Sequence, residues 1–112
     1  MNVYDCANEL AKALKDSREF KALKEAKETL AKDPDAMKMA NEFMALNVEL
    51  GMAKYQGQEP DKEKSEKANK LLGILQLNRD AVEYLQAMMR FEMLMNDINK
   101  SIGDVVKQVI GE

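Results

Sequence analysis

The chain of 112 residues contains no histidine. Histidine is the commonest general base at neutral pH and the commonest zinc ligand. Its absence removes every triad with a histidine base and the Glu-x-x-His pairs of di-iron bundles. Cysteine is almost as scarce: Cys6 stands alone, which excludes an internal disulfide and agrees with a reducing compartment. Gly51, Gly57, Gly73, Gly103 and Gly111 are isolated from one another, so there is no Gly-rich phosphate loop. No apolar run approaches the roughly 18 to 20 residues of a membrane span. No repeat recurs at the roughly 34- or 40-residue periods of helical solenoids. After Met1 the sequence passes directly to Asn2, Asp5 and Glu9, with no basic start or apolar h-region, and a cytoplasmic protein is expected. An excess of positive charge is missing too. Seventeen basic and 20 acidic side chains leave a net charge of -3, which gives no global attraction to nucleic acid. Arg79 and Arg90 are about three helical turns apart with no aromatic residues interleaved in a basic stripe, so direct nucleic-acid contact is not expected.

What remains is the material of helices. An apolar fraction of 46% and a charged fraction of 33% are those of a soluble globular protein, and the length suits one domain over residues 1–112. The strongest pattern is an alternation of three- and four-residue steps at Ala81, Tyr84, Met88, Phe91, Met95, Ile98, Ile102, Val105 and Val109. That spacing is a helix-packing seam held for nearly four heptads. At 1.5 Å per residue it runs roughly 40 Å, longer than a compact domain of this size is wide, so part of the seam is expected to seek a partner.

Upstream, boundary residues divide the chain. Asn2 is placed to cap a first helix, with Asp5 at its N3 position and Val3, Ala7, Leu10, Ala11 and Leu14 as its stripe. Asp16-Ser17 reads as a break, after which Ser17 caps a second helix faced by Phe20, Leu23, Lys27 and Leu30. Asp33-Pro34 starts a third, running to about Tyr55, with Met37, Ala40, Phe43, Met44, Leu46, Leu50 and Ala53 covering a broad face. Gly57 and Pro60 end it in a loop. Asp61 then caps a fourth helix in which Glu63-Lys67 and Glu66-Lys70 are expected to pair at i,i+4, each for about 0.2 to 0.5 kcal/mol. Helices three and four should form an antiparallel hairpin. Asn78 caps the final helix or merely bends one that runs through. Ser101-Ile102-Gly103-Asp104 predicts a kink or fraying within that helix. The lysine and glutamate richness of residues 12–32 and 61–70 reads as solvated helix faces. The fold class is therefore all-α: two short helices, a hairpin and a long C-terminal helix, as a helical dimer.

Few residues carry chemistry. Asp33 and Asp35 flank a proline at a helix start, where capping and the helix dipole account for them better than a metal does. Cys6 reads as a packed, inert thiol rather than a redox or cluster ligand, because one thiolate holds no cluster unless subunits contribute together. No catalytic residue, cofactor or metal is expected. The nine methionines are more informative. Met88, Met89, Met93 and Met95 surround the centre of the last helix, and Met37, Met39, Met44 and Met52 follow the third. Methionine fills irregular cores and self-interfaces, and it also suits adaptable surfaces for other proteins. The candidate interface residues are Tyr84, Met88, Phe91, Met95, Ile98 and Ile102. They suggest a homodimer that serves as a non-enzymatic regulator or adaptor, with a regulatory protein as possible partner. The alternatives are a structural dimer without a heterologous partner and a carboxylate-metal hydrolase.

Several stretches taken together resemble a bacterial family. They are Asn2-Val3-Tyr4-Asp5, Asp33-Pro34, the loop at 57–60, Asn78-Arg79-Asp80-Ala81-Val82 leading into Tyr84-Leu85-Gln86-Ala87, and Phe91-Glu92-Met93-Leu94-Met95-Asn96-Asp97-Ile98-Asn99-Lys100-Ser101-Ile102. The chain is similar over essentially its whole length to the YlbF/YmcA family, and within it to the YheA-type UPF0342 proteins. The resemblance implies a small cytoplasmic all-helical protein that tends to dimerise. It also implies a regulatory setting, since the YlbF and YmcA branches act with YaaT in RNA processing by ribonuclease Y, and thereby in competence, sporulation and biofilm formation. Iron-sulfur clusters accompany that complex. This chain departs there: Cys6 is its only cysteine and its C-terminal segment has none, so the cluster is not carried over.

Overall fold

A computed structural model describes residues 1–111. It contains five helices, α1 (Val3–Asp16), α2 (Arg18–Leu30), α3 (Pro34–Tyr55), α4 (Lys62–Leu75) and α5 (Arg79–Ile110), and no strand among the described residues.

Short polar side chains set the helix starts. Asn2 Oδ1 accepts from the backbone N–H of Tyr4 at 2.8 Å and of Asp5 at 3.4 Å. Ser17 serves two helices at once. Its hydroxyl donates to the Leu14 carbonyl at 2.6 Å, closing α1, and accepts from the Phe20 N–H at 3.1 Å, opening α2. Asp33 accepts from the Ala36 N–H at 3.1 Å, with Pro34 in the first turn where its missing N–H costs nothing. Asp61 caps α4, and Asn78 caps α5 by accepting from the Ala81 N–H at 3.1 Å, so the final helix begins there and is not a bent continuation. At the end of α3 the Gly57 N–H donates to the Lys54 carbonyl and the Gln58 N–H to that of Ala53. This double bond pattern needs a left-handed residue, and Gly57 supplies it at φ 75°.

The contacts gather the residues into two compact units, Ala26–Leu85 and Met1–Glu25 with Gln86–Glu112. In the first, α3 packs on α4: Leu46, Ala68 and Leu71 are buried, with Met39, Phe43 and Leu50 partly buried against them. Leu30, Ala36, Ala40, Leu75, Ala81 and Tyr84 are buried as well. Leu30 and Leu75 are the largest side chains fully enclosed, and full burial of a leucine contributes about 1.5 to 3 kcal/mol. The broad face expected of α3 is buried or half-buried at every position named for it, from Met37 to Ala53.

The ion pairs differ from expectation. Lys67 reaches across to Glu42 on α3 at 3.1 Å, and Lys64 to Glu49 on α3 at 2.8 Å, in place of the expected pairing of Lys67 with Glu63 along α4. Glu42 and Glu49 each sit next to a packing residue of α3, Phe43 and Leu50, which brings them within a lysine's reach. All four side chains are about half exposed, so these pairs fix the lateral fit of the two helices more than they stabilise it.

Two titrations in this unit point the same way. The hydrogen bond from Lys64 to Glu49, then the Glu49 charge, raises the lysine above its ordinary value of 10.5. Burial raises the Tyr84 phenol above 10.0. In both cases the folded chain holds its proton to higher pH than the unfolded chain does. Stability is therefore expected to be level through neutral pH, to fall above about pH 10, and to keep falling as pH passes the raised values. Urea midpoints against pH test this, and a Lys64→Met, Tyr84→Phe variant should show a shallower alkaline decline.

The other unit is far less enclosed. Ala87 is its buried apolar residue among those described, and α1 buries none; only Cys6 and Leu14 are half-buried on that helix. Phe20 of α2 meets Phe91 of α5 edge to face, ring centres 6.2 Å apart at 61°, the arrangement aromatic quadrupoles favour. Helix α5 itself has 32 residues, about 48 Å of axis. It is not interrupted at Ser101–Asp104, contrary to the expected kink or fraying. The Ser101 hydroxyl donates to the Asp97 carbonyl at 3.2 Å, one turn back, and so does not act as a cap.

Candidate protein interface

Along the α5 seam, burial fades steadily. Ala81 and Tyr84 are enclosed, Tyr84 at 3% exposure, and belong to the core of the Ala26–Leu85 unit. Tyr84 thus has almost no surface to offer a partner. Met88, Phe91, Met95 and Ile98 are half-buried, and Ile102 is exposed at 54%. Beyond it Val105 reaches 61% and Val109 89%. The six candidate residues therefore divide into one core residue, four at the margin and one in the open.

The open surface extends past the residues singled out from sequence. Ile102, Val105, Val106, Val109 and Ile110 are all exposed, and their spacing of i, i+3, i+4, i+7 and i+8 is that of a broad apolar helix face. In the same unit, α1 exposes Val3 and Tyr4, each at 80%, and Leu10. Isolated helices of about 12 to 15 residues are marginal in water, and most owe their stability to packing of an amphipathic face. Helix α1 has 14 residues and no buried one. The signal for both surfaces was present in the sequence, in the Val3 to Leu14 stripe and in the last seam positions, Val105 and Val109.

A separate feature lies on another side of α5. Met89 and Met93 are one turn apart and exposed, Met93 at 60%, between the exposed Gln86 and Asn96. Flexible, polarizable side chains in the open suit a surface that adapts to a partner.

Among the described residues no three Cys, Asp or Glu side chains gather as a metal site, no polar or charged side chain is buried, and Cys6 is a free, half-buried thiol. None of the described helices is long and apolar enough to cross a membrane.

Comparison with known proteins gives a consistent picture. The family model described as control of competence regulator ComK, YlbF/YmcA, matches residues 3–107. A UPF0342 protein of Caldicellulosiruptor saccharolyticus is 41% identical over 105 residues, covering 94% of this chain and 88% of the relative. One from Alkalihalophilus pseudofirmus is 34% identical over 110 residues, covering 98% and 93%. One from Streptococcus pneumoniae is 30% identical over 109 residues, covering 97% of each chain.

Proposed function

Since the chain belongs to the YlbF/YmcA family, in its YheA-type UPF0342 branch, we propose that it is a non-enzymatic protein-binding regulator or adaptor that works as a homodimer. Residues 1–112 act as one functional domain in this reading, which the family match across both compact units supports. The antiparallel hairpin of α3 and α4 is its scaffold. That topology is supported by the two ion pairs, in which the later acid on α3, Glu49, meets the earlier lysine on α4, Lys64.

What supports the dimer is the set of exposed apolar residues that α1 and the end of α5 each carry in the Met1–Glu25 and Gln86–Glu112 unit. A second copy covering Val3, Leu10, Ile102, Val105 and Val109 supplies the packing that α1 lacks within its own chain. Met88, Phe91, Met95 and Ile98 form the margin of that contact.

The adaptor surface is assigned to Met89 and Met93, which lie apart from the seam positions on α5. The regulated process is sought in RNA processing or development, following the regulatory branches of the family. A purely structural dimer is the rival reading, and burial of these two methionines in the dimer would favour it. Affinity capture from the source cell with the wild type and with Met93→Glu tests the adaptor. The expected result is a reproducible partner that disappears with a variant still folded and dimeric. Recovery of the chain's own copies alone, under conditions that retain known weak complexes, would overturn the reading.

A further inference from the structure

We draw no further inference here: the strongest candidate, the exposed stripe of Val48, Met52 and Tyr55 on the outer face of α3, is flanked by Asn47, Gly51 and a single lysine, Lys54, and nothing in the structure shows what covers it.

Discussion

A chain carrying Val105→Glu and Val109→Glu is expected to lose self-association while each protomer stays folded. Both side chains stand in the open, at 61% and 89% exposure, so the substitutions leave no cavity within the chain. Glutamate is also a slightly better helix former than valine, by a few tenths of a kcal/mol, because its unbranched stem keeps more rotamer freedom in a helix. The cost appears only when a second copy covers the face. There, two carboxylates from each protomer must be stripped of water without partners, a penalty of several kcal/mol per ion even after relaxation. We expect dimer affinity to fall at least about a hundredfold, equivalent to about 2.8 kcal/mol. Sedimentation across a concentration series reads this directly, and circular dichroism checks that helix content is retained. An unchanged dimer would place the contact elsewhere.

Replacing Leu75 by alanine should have the larger effect on the fold. Leu75 is 1% exposed and is, with Leu30, the largest side chain fully enclosed. Truncation removes its transfer free energy and leaves a cavity, together worth about 2 to 5 kcal/mol. Native chains are stable by about 5 to 15 kcal/mol in total, so the loss is a large share of the margin. Urea unfolding should show a midpoint well below that of the wild type with a similar slope. The neighbouring Ile74, exposed on the other side of α4, provides the contrast: Ile74→Ala should move the midpoint much less.

The contrast between these two experiments follows from what was legible in the residues. Helix starts were readable because a cap is a local event: Asn2, Ser17, Asp33, Asp61 and Asn78 each need only their own side chain and a backbone N–H two or three residues on. The same local rule misled at Ser101. Its hydroxyl had a carbonyl one turn back available, and the helix runs through Gly103 without a break. Lysine partners were not readable, since Lys64 and Lys67 choose between acids on their own helix and acids that only packing brings near. Periodicity identified the α5 seam but not its depth. Tyr84 and Val105 occupy equivalent seam positions, yet one is enclosed and the other open, because cover depends on which parts of other helices lie against each turn. For the same reason the α1 stripe leaves Val3, Ala7, Leu10 and Ala11 exposed in the single chain, with Leu14 half-buried.

In the proposed dimer a second copy of the chain covers the exposed apolar residues of α1 and the end of α5. Sedimentation equilibrium of the wild-type protein at micromolar concentration tests it most directly. The expected mass is twice the 12.7 kDa of one chain. A mass of 12.7 kDa that persists as concentration rises would contradict it.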